Sequence, residues 1–340
     1  VSAIHLEHVT KRFPGSSQPA VDDCSLEVES GTLVVLLGPS GSGKTTLLKL
    51  VNRLYEPDAG RITLDGTDIR TIPAHQLRRR IGYVIQQVGL FPHLRVEQNI
   101  ATVPDLLGWP RERTHARVDE LLDLVGLPRA YRRRYPRQLS GGEQQRVGLA
   151  RALAADPAVM LMDEPFGALD AITRTRLQDE LRAIQQQVRK TILFVTHDVE
   201  EALRLADRLV VMRSGRIVQH DTPMGILARP ADDFVRALVA SDDVLRRLSL
   251  LPVSSVLASG PHGRAFDAQP ASLSPRGTEA PGLSGPTVCA SENLRVALSL
   301  LLKSGAERLT VTDAGGHVVG CVALEDIRRA ARVGLSQGPA

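Results

Sequence analysis

"TLVVLLGPSGSGKTTLLKL", residues 32–50, decides the fold. Leu33 to Leu37 form an apolar run without polar interruption, as expected of a strand buried on both faces in a mainly parallel sheet. The run breaks at "GPSGSGKT", Gly38 to Thr45, which fits G-x-x-x-x-G-K-[ST] and leads into a helix-forming stretch. Gly38, Gly41 and Gly43 let the backbone through Pro39, Ser40 and Ser42 wrap around phosphates with its N–H groups inward. The helix start adds a favourable potential for anions. Lys44 is expected to reach the β- and γ-phosphates of a nucleotide, and the Thr45 hydroxyl to ligate Mg²⁺. Thr46 completes the nucleotide-binding stretch.

Two further apolar runs end in polar residues. "VMLMDEP" brings Asp163 to the C-terminal edge of the same sheet, where open α/β sheets bind ligands. Asp163 suits Mg²⁺ coordination. Glu164, one residue on, is placed to accept a proton from an attacking water. "TILFVTHD" ends in His197, which reaches the same edge and is expected to contact the γ-phosphate. "AIHLEHVTKRF" and "GRITLDGTDI" alternate instead, as half-exposed antiparallel strands do. Residues 88–155 lack strand signals and read as an inserted helical lobe.

Composition excludes several classes. The chain of 340 residues has 43% hydrophobic and 24% charged residues and a net charge of +4, so it falls short of a dedicated nucleic-acid binder. Arg78-Arg79-Arg80 and Arg132-Arg133-Arg134 read as solvated helix faces. Cys24, Cys289 and Cys321 show no metal-ligand spacing and read as reduced thiols of a cytosolic protein. No stretch approaches the ~18 apolar residues of a spanning helix, and no signal peptide is evident, so a membrane role would run through partners. Half of residues 259–286 are Pro, Gly or Ser, the composition of a linker. Beyond it, Leu294, Ala297, Leu298, Leu301 and Leu302 mark one apolar helix face, followed by strand, turn, strand and helix start, a small βαββα-like unit.

"RYPRQLSGGEQQRVGLARAL", residues 134–153, holds a second candidate anion cradle. Ser140-Gly141-Gly142-Glu143 fits a capping box, which satisfies free N–H groups at a helix start. Capping does not require consecutive glycines, each costing ~1 kcal/mol of helix propensity relative to alanine. Bare backbone at a helix start suits close approach to an anion, and both readings hold together.

On these residues the chain resembles the ABC-type ATPases, whose motif order is P-loop, "LSGGEQQRV", "LMDEP", "GALD" and "VTHD". The resemblance covers residues 1 to about 235. It implies an α/β P-loop NTPase of ABC type, with a mainly parallel sheet core, an antiparallel β subdomain and the helical lobe. It further implies that Ser140, Gly141, Gly142 and Glu143 close on ATP held by a second copy in a head-to-tail dimer. Phe13 would stack on adenine, and Gln86 would sense Mg²⁺ and the attacking water. Asp170 would lie at the dimer interface, and "GLFPHLRVEQNI" would face transmembrane permease subunits.

More narrowly, "VNRLYEPDAGRITLDG" and "RRRIGYVIQQVGLFPHLRVEQNI" are similar to the ATPase subunits of importers for glycine betaine, carnitine or choline. Those importers work with an extracytoplasmic substrate-binding protein. The C-terminal unit resembles one cystathionine-β-synthase (CBS) repeat. The first repeat of the usual pair is eroded to "RRLSLLPVSSVL", and Ala323 replaces the hydroxyl residue of G-x-x-[ST]-x-x-D, although Asp326 remains. A packing or dimer-contact role is therefore expected of the tail rather than nucleotide binding.

The expected organisation is an ATPase domain over 1–240, a connecting segment and linker over 241–286, and a single small α+β CBS-like repeat over 287–332. The expected activity is Mg²⁺-dependent ATP hydrolysis energising osmoprotectant import from the inner face of the cell membrane, without nucleic acid. Import of another small solute is the alternative. A soluble ABC ATPase of DNA repair or ribosomes would need a long coiled coil or a second cassette. A regulator without turnover would not need Glu164 and His197.

Overall fold

The computed structural model describes residues 2–86, 89–167, 169–239, 248–257 and 286–332. The chain divides into two compact units, Val1–Ile226 and Leu227–Ala340.

In the first unit the strands are β1 (Ser2–Lys11), β2 (Val21–Glu29), β3 (Leu33–Leu37), β4 (Ala59–Leu64), β5 (Thr67–Asp68), β6 (Ile81–Val84), β7 (Val159–Asp163), β8 (Thr191–Thr196), β9 (Arg208–Arg213) and β10 (Arg216–Asp221). The main sheet has the order β10-β9-β3-β8-β7-β6. Its pairings are parallel except β9 with β10. Every residue of β3, β7 and β8 is buried, which is why these strands show no polar alternation. Because they run parallel, the residues that follow them emerge at one sheet edge. The second sheet, β2-β1-β4-β5, is antiparallel. It alternates, as the burial of every second residue in β2 from Cys24 to Val28 shows.

Helix α1 (Lys44–Val51) follows the glycine-rich loop, and its Leu47, Leu48, Leu50 and Val51 belong to the core joining both sheets. Helix α2 (Ala74–Arg79) leads into β6. The lobe comprises α3 (Val96–Leu106), α4 (Arg111–Leu124) and α5 (Gly141–Leu153), with short 3-10 turns at Arg129–Arg133 and Pro136–Gln138. Helix α6 (Ala171–Val188) then crosses to β8, and α7 (Val199–Leu205) to β9.

One surface expectation is corrected in the lobe. Arg132 is not a solvated helix-face residue: it reaches Glu97 of α3 at 3.2 Å and Asp119 of α4 at 2.8 Å, tying the two helices. Arg134 stacks 3.6 Å above the Tyr131 ring. Asn99, fully buried, accepts from the Phe91 N–H at 2.8 Å and donates to the carbonyls of Phe91, Leu94 and Arg95. That one amide fixes the loop entering α3.

Helices α8 (Pro223–Ala228) and α9 (Asp233–Val239) follow β10. In the second unit, β11 (Thr287–Cys289), β12 (Arg308–Thr312) and β13 (Val318–Ala323) form a sheet in that order, the first pair parallel and the second antiparallel. Helices Leu294–Ser304 and Leu324–Arg332 complete it. Residues before the Pro/Gly/Ser-rich stretch join the same core: Leu248 and Val253 pack with Val288, Leu294, Leu309 and Ile327. The Val253 N–H donates to Glu292 and the Leu294 N–H to Leu251. Residues 258–285, which contain almost all of the Pro/Gly/Ser-rich stretch, lie outside the described residues.

Candidate nucleotide-binding and hydrolysis site

The loop from Gly38 to Gly43 is shaped by backbone that only glycine tolerates. Gly43 has φ +101°, and a Cβ there would lie 2.3 Å from the Ala20 carbonyl oxygen. A Cβ on Gly38 would lie 2.3 Å from the Met212 carbonyl oxygen. Gly38 is buried, whereas Pro39, Ser40 and Gly41 are exposed at the rim. Ser42 and Lys44 are buried, and Thr45 and Thr46 are half-buried at the start of α1.

The Lys44 ammonium turns back into the loop, donating to the Gly38 and Pro39 carbonyls at 2.8 and 2.9 Å and to Ser42 Oγ at 3.4 Å. Burial pulls it below the usual lysine value, opposed by the Glu164 and Asp163 carboxylates. A buried cation satisfied within its own loop is a ready partner for an anion.

Thr45 Oγ1 donates to Asp163 Oδ1 at 2.8 Å, joining the loop to the end of β7. Burial pushes the Asp163 carboxyl up, and the Thr45 hydrogen bond opposes that. A hydroxyl and a carboxylate in contact are the hard-oxygen donors that suit a small divalent cation completing its shell with water and phosphate. Among the described residues no group of three or more His, Cys, Asp or Glu could hold a metal.

Glu164 takes φ +45°, an uncommon conformation for a non-glycine residue. Its N–H donates to the Val195 carbonyl at 3.0 Å, so the turn is pinned to β8. Its Oε2 lies 3.1 Å from His197 Nδ1 and accepts from Gln86 Nε2 at 3.3 Å. Gln86 and His197, from beyond the ends of two other strands, therefore converge on one Glu164 carboxylate oxygen.

Two expected residues are placed apart from this cluster. Phe13 meets Tyr55 edge-on, with ring centroids 5.1 Å apart, and Lys11 Nζ lies 5.9 Å from the Phe13 centroid. Tyr55, which follows α1, is a partner the motifs do not flag. Asp170 caps α6, accepting from the Thr173 N–H at 3.0 Å.

The Ser140 segment lies against the start of α6. Ser140 Oγ accepts from the Glu143 N–H at 3.3 Å, and the Ser140 N–H donates to Glu143 Oε2 at 2.7 Å, the reciprocal capping box. Tyr131 donates to the other Glu143 oxygen at 3.1 Å, so this carboxylate is committed to the helix start. A Cβ on Gly141 would meet Leu169 at 3.6 Å, and one on Gly142 would lie 3.0 Å from Thr173 Cγ2. Close packing against α6 is thus a reason for glycine at 142 that the sequence did not reveal.

Residues 21–167 match the ABC transporter family. Over 325 residues the chain is 47% identical to the glycine betaine uptake system ATP-binding protein YehX of Escherichia coli, spanning 95% of this chain and 98% of that one. It is 42% identical to the osmoprotectant import ATP-binding protein OsmV of Salmonella typhimurium, spanning 93% of each. Among solved structures, a bacterial ABC transporter cassette determined as a dimer superposes with a TM-score of 0.59 at 32% identity, covering 65% of this chain and 98% of that one. The chain belongs to the ABC transporter family, as one of its ATP-binding subunits. Within it, its relatives at 42–47% identity are named for uptake of glycine betaine and other osmoprotectants.

Proposed function

We propose that this chain is the ATP-hydrolysing subunit of an importer for an osmoprotectant such as glycine betaine, carnitine or choline. The observation that carries the hydrolysis is the convergence of Gln86 and His197 on Glu164, beside the Thr45–Asp163 pair. The likeness to YehX and OsmV along nearly their whole lengths supports the osmoprotectant.

ATP is held by the Gly38–Thr46 loop, with Lys44 exchanging its loop carbonyls for phosphate oxygens and Phe13 against the adenine. Bound Mg²⁺, held by Thr45, Asp163 and Gln86, would neutralise charge on the phosphates. Glu164 takes the proton of the attacking water, Gln86 orients that water, and His197 meets the γ-phosphate. Ser140, Gly141, Gly142 and Glu143 serve a second copy's nucleotide in a head-to-tail dimer, with Asp170 at the interface. The dimer acts on transmembrane permease subunits at the cytoplasmic face of the membrane, fed by an extracytoplasmic substrate-binding protein. Among the described residues no helix is long and apolar enough to cross a membrane. We assign an ATPase domain to 1–240, a connecting segment to 241–286 and a CBS-like packing or contact unit to 287–332, whose core also takes in Leu248 and Val253 of the connecting segment.

Glu164→Gln tests the chemistry. The variant is expected to bind ATP normally and to hydrolyse it at least ~10²-fold more slowly, the contribution of a general base. Turnover near the parent's rate would remove Glu164 from that role. Glycine betaine uptake by cells carrying the whole importer should fall with it.

A further inference from the structure

We propose that Arg174 is a positioning residue for His197, fastening the turn that carries the histidine to the loop that opens α6. The inference rests on the reading of His197 as a turnover residue.

Arg174 lies in the first turn of α6. Its Nη2 donates to the Leu169 carbonyl at 2.9 Å, and its Nη1 lies 3.5 Å from Asp198 Oδ2. Asp198 is the residue after His197 and has little freedom. Its other oxygen accepts from the Glu200 and Glu201 N–H groups at 2.9 and 3.1 Å, capping α7. Its own N–H donates to Thr196 Oγ1 at 2.9 Å. His197 therefore sits between a strand end and a capping carboxylate, and the guanidinium holds that carboxylate.

The Leu169 carbonyl immediately precedes Asp170, so one planar fork spans from the Asp170 loop to the His197 turn. Lysine offers a point charge and could not hold both partners in this geometry. Arg174 Nε is buried without a partner, and a buried donor left unsatisfied is costly. The contacts at the other two nitrogens must offset it. A shift of the Asp170 loop is thus passed to Asp198 and on to His197, whose Nδ1 stands 3.1 Å from Glu164.

Other ion pairs on α6 supply a control. Arg204 reaches Asp179 at 2.6 Å on the exposed side of α6 and α7 and touches none of the site residues. If Arg174 only tied two helices, removing Arg204 would have a comparable effect.

The test is steady-state ATP hydrolysis by the full-length chain, with kcat and KM for ATP measured separately in Arg174→Ala, Arg174→Lys, His197→Ala, the Arg174→Ala/His197→Ala double variant and Arg204→Ala. Arg174→Ala is expected to lose ~10-fold in kcat with KM changed less than ~2-fold, the signature of an interaction used only in turnover. Arg174→Lys should recover part of the loss, and Arg204→Ala should behave as the parent. The double variant should be no slower than His197→Ala, because Arg174 acts through the histidine. Multiplying losses, an equal loss in Arg204→Ala, or a normal kcat in Arg174→Ala would each overturn the proposal. Should Arg174→Ala fail to fold, Asp198→Asn severs the same pair while keeping a competent cap, and a normal kcat there overturns it equally. Impaired His197→Ala beside normal Arg174→Ala removes the positioning role alone. Normal turnover in His197→Ala removes both it and the reading beneath it.

Discussion

Glu201 is a carboxyl placed where a charge is costly. It is 5% exposed, and burial pushes it above its usual range, against hydrogen bonds from Thr196 and Gln178 and the pull of Arg174. A carboxyl with a raised folded-state pKa binds its proton more tightly when folded than when unfolded. Stability therefore falls as pH rises from the ordinary carboxyl range through the folded value. Glu201→Gln keeps an oxygen facing Gln178 and cannot ionise. It is expected to raise the Tm at pH 7.5 by ~2–4 °C, as about 1 kcal/mol does in a unit the size of Val1–Ile226, which contains Glu201. The difference should vanish near pH 4, and calorimetry across that range checks it. A Gln variant less stable than the parent at pH 7.5 would contradict the sign. Glu201 and Arg174 were invisible to sequence reasoning because each matters only through partners on other elements. Asp163, Glu164 and His197 were legible because each ends a strand whose neighbours fix its direction. The left-handed turn at Glu164 was not.

The strands divide in the same way. β3 is apolar throughout, β7 and β8 are apolar apart from Asp163, Thr191 and Thr196 at their ends, and the sequences of β1 and β4 alternate, so each declared its environment, although Thr63 of β4 is itself buried. β6 is only four residues long and includes Gly82, too short for a period to show. β2 carries four acidic residues, whose charge masks an alternation that the burial pattern makes plain. At helix α5 the two explanations for Gly142 separate experimentally. Gly142→Ala gains helix propensity of ~1 kcal/mol but pushes a methyl against Thr173. Thr173→Ser removes the obstructing methyl while keeping the backbone N–H that Asp170 caps. The double variant is expected to regain the parent's Tm, yet to trap ATP poorly if the bare backbone also serves an anion. Recovery of trapping along with stability would leave packing as the whole reason for the glycine.

For the whole molecule, the second unit includes residues from before the Pro/Gly/Ser-rich stretch. Leu248 and Val253 are buried against Val288, Leu294 and Leu309, so a cut within 258–285 strands them. Truncation after Val239 is expected to leave basal ATP hydrolysis within ~2-fold of the parent, since no residue of the proposed site lies beyond it, a change too small to count as lost transition-state binding. Truncation after residue 258 exposes those side chains and should give a less soluble protein of similar specific activity. Size-exclusion chromatography beside an ATPase assay distinguishes the two. The same closure has a further consequence. Leu257 lies against Gly320, and the Pro286 carbonyl accepts from Thr310 at 3.2 Å, so both ends of the 258–285 segment are anchored to one small core. Anchored ends make the spacing between them cheap to alter, each doubling of the intervening length costing only ~0.6 kcal/mol of closure entropy. A fluorescent protein could be spliced into that interval without unfolding what flanks it, giving an optical report on the tail from within an intact transporter.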